Sequence, residues 1–187
     1  MVSSDELWQA YDEQGRPTRG ITREEANLGE LHGASHLWIW RKTSHGLQFL
    51  LQKRASDKRT WPGYWDISTA GHIDVGEEPL PAMLREAHEE IGLTLQPEDL
   101  KLLFVFRQFA VDPAAGAIEN EFNWVYGYQV NGDLQVQSDH EEVETTKWVD
   151  LADVQRLISG ADDDQIVPQG EPYFLNLFTE IKRLAEL

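Results

Sequence analysis

The chain has 187 residues, of which 41% are hydrophobic and 26% charged, a balance that suits one domain with a sizeable core and excludes wholesale disorder. Its 33 acidic and 16 basic residues give a net charge of −17, which disfavours nucleic acid and membrane surfaces as partners but leaves carboxylates for metals. With 0 Cys, disulfides, cysteine-ligated zinc and thiol nucleophiles are excluded. No apolar run reaches the roughly 18 residues of a membrane span and no signal segment opens the chain, so we expect a cytoplasmic protein.

Strand-like runs dominate the chain, and neither a repeat nor a Pro/Gly/Ser-rich linker divides it. We therefore expect a single domain over residues 1–187, with residues 1–6 loosely held. A short strand over residues 8–12 enters a turn at Gly15, and apolar runs at 34–42 and 47–54 flank a four-residue turn, which indicates a hairpin. Further strands are predicted at 66–71, 102–110, 122–130 and 145–149.

Three helices are predicted between and after these strands. The first covers residues 80–91, with Pro79 and Pro81 at its start and Gly92 just past its end. Asp150 is placed to cap a second helix, and residues 173–187 repeat apolar side chains at helical spacing. Runs of strands with few helices between them predict an α+β fold, a mixed sheet sandwiched between helices.

The first helix carries an unusual charge pattern. At about 100° per residue, its apolar positions 80, 84, 87 and 91 form one stripe, whereas Glu86, Glu89 and Glu90 cluster on the opposite side. Carboxylates at this spacing repel one another unless solvent or a cation relieves them. The cluster is therefore either a solvated acidic face or a site for a hard cation such as Mg²⁺ or Mn²⁺.

Residues 71–93 follow the spacing G-x5-E-x7-R-E-U-x-E-E-x-G-U, in which U is a bulky aliphatic residue, and only Ala87 departs from it. This segment resembles the Nudix box. The resemblance implies a Nudix fold and metal-dependent attack of water on a diphosphate linkage of a small organic diphosphate. It further implies that Glu86, Glu89 and Glu90, with the carbonyl of Ala70, bind the metal, and that Arg85 and Glu77 support catalysis beside Glu90. The carbonyl and carboxylate oxygens are ligands that Mg²⁺ accepts.

Outside the box the chain resembles the type I isopentenyl-diphosphate isomerase branch of the superfamily. The matching segments are 51–55, Lys58, 61–65, 71–72, 118–121 and 148–154. This likeness implies a second metal group from His32, His72, Glu119 and Glu121, with Glu121 also a candidate general base. His36 is either a substitute for His32 or an ordinary buried histidine.

Three departures argue against isomerase chemistry. Ala70 stands where the isomerases have their catalytic cysteine, and Phe109 is aligned with their assisting tyrosine. The helix also keeps all three glutamates, which the isomerases have largely lost. We therefore favour a hydrolase over an isomerase-like enzyme or a ligand-sensing module without turnover.

A local excess of basic residues lies at positions 53–59 in this acidic chain. By resemblance, Arg54 and Lys58 contact substrate phosphates; the alternative is a lysine-protected edge strand. Trp61 is expected to line the substrate pocket, as are Trp65 and Trp124 unless they belong to the core. The expected partner is a small-molecule diphosphate, whose leaving group the sequence leaves open, as it does the oligomeric state.

Overall fold

The computed structural model describes residues 7–132, 134–137, 143–161 and 164–186, so the expectation for residues 1–6 lies outside the described residues. Within these ranges a nine-stranded mixed sheet is sandwiched between helices, which confirms the predicted α+β class. The elements in chain order are β1 (Trp8–Tyr11), β2 (Pro17–Ile21), α1 (Arg23–Asn27), β3 (His32–Thr43), β4 (Gly46–Arg54), β5 (Trp65–Asp66), β6 (Thr69–His72), α2 (Pro79–Ile91), β7 (Lys101–Asp112), β8 (Ala117–Gln129), β9 (Val143–Asp150), α3 (Leu151–Ser159) and α4 (Glu171–Leu184).

Strand β3 organises the sheet. Strand β8 runs parallel along one of its edges, and strands β1, β6 and β4 share the other edge in turn. The register pairs His32 with Glu121, Ala34 with His72 and His36 with Ala70. Because side chains of paired residues lie on the same face of a sheet, this register gathers predicted site residues on one face.

Two apolar layers enclose the sheet. On one face, Leu37 and Ile39 pack against Met83, Ala87 and Ile91 of α2. On the other, two tryptophans of β3 pack against α3 and α4 in a cluster that includes Trp38, Trp40, Leu157, Tyr173 and Leu177. No helix in the described ranges is long and apolar enough to cross a membrane.

The predicted elements agree with the structure except for one divided strand and two elements that were not predicted. The hairpin of β3 and β4 is confirmed, but the strand predicted at 66–71 is two strands, β5 and β6. Between them Ser68 accepts a hydrogen bond from the Ile39 amide at 2.8 Å and donates one to the Leu50 carbonyl at 2.6 Å, so a side chain replaces the ladder there. Strand β2 and the short helix α1 have no counterpart in the predictions; Thr22 begins α1 with a capping box.

Both caps of α2 are as expected, since prolines occupy its first turn and Gly92 ends it with φ of 68°. The arrangement of its faces differs from the prediction, because Glu90 is buried rather than on a free acidic face. Asp150 stands at the N-cap of α3, but its side chain makes no capping hydrogen bond. Its carboxylate accepts a hydrogen bond from Nε2 of Gln48 at 2.9 Å instead.

Candidate active site

A cavity of about 490 Å³ lies over the face of the sheet that carries His32 and Glu121. Strands β3, β6 and β8, helix α2, the loop after β4 and the segment before α4 all contribute to its walls. The cavity brings together all the predicted ligands and the predicted substrate contacts, namely His32, Ala70, His72, Glu86, Glu89, Glu90, Glu119, Glu121, Arg54, Lys58 and Trp61. Of the predicted catalytic residues, Glu77 does not line the cavity and is held by Arg85 instead.

Helix α2 presents its carboxylates at three depths. Glu89 is exposed, Glu86 is half-buried and Glu90 is buried. Glu90 accepts a short hydrogen bond from the Thr69 hydroxyl and a longer one, 3.4 Å, from the Ala70 amide. Burial, together with the charge of Glu90, raises the pKa of Glu86 to about 8. The helix therefore holds crowded negative charge that a cation would relieve.

Gly71 is what lets Glu86 enter the cavity. A Cβ at position 71 would lie 1.9 Å from Cδ of Glu86, so any side chain there would displace the carboxylate. The φ of Gly71 is one that other residues also adopt, so the backbone conformation does not require glycine here. The close approach of Glu86 does.

Arg85 binds several carboxylates at once. Its guanidinium donates to Glu77 at 2.9 and 3.2 Å, to Glu86 at 2.7 Å and to the carbonyl of His72 at 3.0 Å. Because this fork is planar and always charged, it fixes the rotamers of both carboxylates relative to β6. Arg85 therefore connects Glu77 and Glu86 to β6.

Three of the four residues expected to form a second metal group lie together. The ligand atoms of His32, His72 and Glu121 all lie within 4.8 Å of one another, with Oε1 of Glu121 3.3 Å from Nε2 of His32 and 3.7 Å from Nε2 of His72. Nδ1 of His32 lies 2.8 Å from the carbonyl of Glu30, which fixes the proton of the neutral ring on Nδ1. The lone pair of Nε2 then faces a carboxylate and has no hydrogen-bond partner among the described residues. A cation between them would satisfy both groups, so this donor set fits a divalent metal.

Burial and charge set the protonation of this group. Burial alone would raise the pKa of Glu121, but the two imidazoles hold it well below its usual range. Burial lowers the pKa of His72 to about 4, and Glu121 raises that of His32 against the effect of burial. Glu121 is therefore a carboxylate in this site at neutral pH.

Glu119 does not join the group. Its Oε1 accepts from the indole of Trp61 at 2.8 Å, and burial together with Glu121 raises its pKa to about 7. Trp61 itself has a φ of 49°, which is strained for a residue with a Cβ, and its amide is held by the buried Asp112 at 3.2 Å. The loop after β4 is thereby tied to residues 119–121 of β8, Glu-Asn-Glu, which we call the E-N-E segment.

The basic loop, which includes Arg54, Lys58 and Arg59, supplies another part of the cavity wall. Arg54 is paired with Asp66 at 3.0 Å and donates to the carbonyl of Thr60, while Lys58 and Arg59 also line the cavity. Of the three tryptophans expected near the pocket, only Trp61 lines it; Trp65 and Trp124 pack against the apolar clusters.

The structure also places two further residues that the sequence singled out. Phe109 is 68% exposed and lies outside the cavity, whereas the adjacent Gln108 is buried and lines it, so Phe109 is not positioned to contact a substrate there. His36 is no substitute for His32, because its Nδ1 is hydrogen bonded to the hydroxyl of Tyr173 at 2.9 Å. Burial lowers the pKa of His36.

Trp8 is a site residue that sequence reasoning missed. Its ring stacks on His72 with centroids 3.5 Å apart and planes 6° apart. Trp8 precedes His72 by more than 60 positions. The bridge between Trp8 and Asp74 and the backbone hydrogen bonds beside it, from Gln9 to Ile73 and from Val75 to Leu7, bring the two rings together. A contact between residues so distant in the chain cannot be predicted from local spacing in the sequence.

The domain is an α+β fold in which a mixed sheet lies between helices. The close approach of Gly71 and α2 directs carboxylates into one cavity, and this combination can be compared with known families. A family model for the NUDIX domain matches residues 31–170. The chain is 34% identical over 179 residues to Nudix hydrolase 3 of Arabidopsis thaliana, covering 92% of this chain and 22% of that protein. It is 35% identical over 143 residues to isopentenyl-diphosphate Delta-isomerase of Shigella boydii, covering 75% of each.

Solved structures share the fold. DR0079 of Deinococcus radiodurans has a TM-score of 0.68 at 19% identity, covering 91% of this chain and 97% of that one. A C. elegans Ap4A hydrolase binary complex has a TM-score of 0.50 at 29% identity, covering 66% and 83%. The chain belongs to the Nudix family, near its isopentenyl-diphosphate isomerase branch. It spans only 22% of the length of the plant relative.

Proposed function

We propose that this protein, as a single Nudix domain over residues 1–187, catalyses the hydrolysis of a diphosphate linkage in a small organic diphosphate, nucleoside or isoprenoid, with Mg²⁺ or Mn²⁺ as its cofactor. The observation that carries the proposal is convergence: the box carboxylates, the group of His32, His72 and Glu121, and the basic loop all face one cavity. Carboxylates opposite basic side chains suit a substrate whose phosphates bridge metal and cations.

The box residues have distinct tasks in this proposal. Glu86, Glu89 and Glu90 with the Ala70 carbonyl would hold a divalent cation, which when bound neutralises phosphate charge and lowers the pKa of water. Arg85 keeps Glu86 and Glu77 in place through its forked hydrogen bonds. Arg54 and Lys58, which line the same cavity, orient the phosphates, and Trp61 closes the pocket beside Glu119.

The two carboxylates of the E-N-E segment differ in the role that each supports. Glu121 lies between two imidazoles that keep its pKa well below its usual range, so it accepts a proton weakly and fits a ligand role. Glu119 has a pKa near 7, which suits a general base working at neutral pH. We therefore extend the expectation of a base at Glu121 to include Glu119, and replacing each in turn by Gln separates the roles: loss of rate with metal affinity retained marks the base.

An isomerase-like activity is the second candidate, favoured by the relatives of that name and by the group of His32, His72 and Glu121. The cysteine that would act as the acid is missing, because Ala70 occupies its position and the chain has 0 Cys. On the sheet, Ala70 is paired with His36. A ligand-sensing module is the third candidate, and the retention of all three box carboxylates weighs against it.

The experiment is a substrate screen with matched variants. Nucleoside diphosphate sugars, dinucleotides, oxidised nucleotides and prenyl diphosphates are incubated with Mg²⁺ or Mn²⁺. Cleavage is followed by mass spectrometry and by phosphate release after a phosphatase has acted on the products. We expect cleavage of at least one class, loss in excess EDTA, a decrease of about 10²-fold or more in Glu86→Gln and no change in Gln155→Leu, which alters an exposed side chain on α3. Full turnover after exhaustive metal removal would refute the proposal.

A further inference from the structure

One part of the cavity wall is both buried and polar. It is formed by His36 of β3, Gln108 of β7 and Gln169 just before α4, which we call the polar wall; all three are at least nine-tenths buried. The apolar residues that line the cavity are few, namely Trp8, Ala34, Trp61, Ala70, Ile118 and Val167, and no Leu, Met or Phe of the described residues joins them. A hydrocarbon chain would find few apolar partners there.

His36 offers this cavity a hydrogen-bond donor. The indole of Trp38 donates to the hydroxyl of Tyr173 at 2.9 Å, and that hydroxyl lies 2.9 Å from Nδ1 of His36. Tyr173 is fully buried and its proton has no other acceptor among the described residues, so the hydroxyl donates to Nδ1. The neutral ring then carries its proton on Nε2, on the side away from Tyr173.

Gln169 offers an acceptor. It is 7% exposed and lines the cavity, and its side-chain oxygen has no hydrogen-bond partner among the described residues. Its position is held from one side by Gln108, which donates to the carbonyl of Pro168 at 3.4 Å. That oxygen is therefore an acceptor without a donor in a residue that borders the cavity.

We propose that His36 and Gln169 form a subsite for a hydroxyl-bearing organic group, such as a sugar, on the substrate diphosphate. A hydroxyl accepts from Nε2 of His36 and donates to Oε1 of Gln169, so one group satisfies both side chains. A prenyl chain satisfies neither, because it leaves buried polar atoms unpaired. This inference rests on the proposed function and narrows it, from nucleoside or isoprenoid diphosphates to the hydroxyl-bearing ones.

The test compares two diphosphates by isothermal titration calorimetry, with Ca²⁺ in place of Mg²⁺ to slow turnover. ADP-ribose is the hydroxyl-bearing probe and geranyl diphosphate is the hydrocarbon probe. We expect the natural protein to bind ADP-ribose at least about 10-fold more tightly, and Gln169→Leu and His36→Phe each to lose that preference. His36→Gln keeps a donor near the place of Nε2 and should retain it, as should the matched control Gln155→Leu.

The outcomes are distinct. Equal or tighter binding of geranyl diphosphate by the natural protein overturns the subsite, as does an unchanged preference in both Gln169→Leu and His36→Phe. The comparison within the natural protein stands even where a variant fails to fold. Hydrolysis of ADP-ribose is followed separately with Mg²⁺: a preference for ADP-ribose without cleavage of any diphosphate supports the subsite and overturns the hydrolase proposal alone.

Discussion

The raised pKa of Glu86 makes the stability of the metal-free protein depend on pH. Its pKa is about 8 in the fold against 4.5 for the unperturbed group. Between these values the folded state binds a proton that the unfolded chain has released, so the free energy of unfolding falls as pH rises, by about 1.4 kcal/mol per pH unit for this group. From pH 5.5 to 7.5 the loss amounts to roughly 2 to 3 kcal/mol, because the slope decreases as pH approaches the folded pKa.

Replacing Glu86 by Gln removes this contribution. We subtract the free energy of unfolding of the natural protein from that of Glu86→Gln. This difference should increase by roughly 2 to 3 kcal/mol as pH rises from 5.5 to 7.5. The assay is urea unfolding of EDTA-treated protein at several pH values, followed by tryptophan fluorescence. Glu89→Gln is the matched control, because Glu89 belongs to the same helix but is exposed, and it should keep most of the natural slope. Parallel profiles for Glu86→Gln and the natural protein would refute the reasoning, since they would mean that Glu86 is ionised in the fold at no cost.

Three further outcomes are expected. Glu90→Gln keeps the volume of a buried side chain and relieves repulsion with the helix carboxylates, so thermal unfolding without metal should be unchanged or improved by a few tenths of a kcal/mol, while kcat with saturating Mg²⁺ falls on the order of 10²-fold; an unchanged kcat would mean that it is no ligand. With Ala70 in place of a thiol, NMR in D₂O should detect no allylic proton exchange into isopentenyl diphosphate at isomerase rates, and robust exchange would remove the hydrolase assignment. Trp8→Leu removes the ring stacked on His72 and should weaken Mn²⁺ binding about 10-fold by calorimetry, whereas Trp148→Leu should leave it unchanged.

Local signals in the sequence predict much of the fold. Apolar runs on both sides of residues 43–46 predict the hairpin of β3 and β4, and the prolines and Gly92 predict both ends of α2. The break between β5 and β6 is not predictable in this way, because it depends on Ser68 binding the backbone of two other strands. Local spacing does not record hydrogen bonds between segments distant in the chain.

The same limit applies to the site. Fixed spacing on one helix identifies Glu86, Glu89 and Glu90, and the resemblance places His32, His72 and Glu121 together, as the structure has them. Whether Gln108 or Phe109 faces the cavity depends on the register of β7 against β8, because a shift of one residue would exchange the two faces of the strand. The burial of Glu90 likewise depends on the depth at which α2 docks against β6, which helical periodicity alone does not give.

The pairing of strands around β3 also has a consequence for how the length of the chain can vary. His32 belongs to β3, and Glu121 and His72 belong to strands that pair with β3 at His32 and Ala34. Because side chains alternate between faces, adding or removing one residue in β3 between His32 and Leu37 would turn His32 toward the side of α2, away from both partners. An insertion in the turn at residues 43–46 would leave these pairings intact. Length changes are therefore expected to be tolerated at that turn and excluded from the first half of β3.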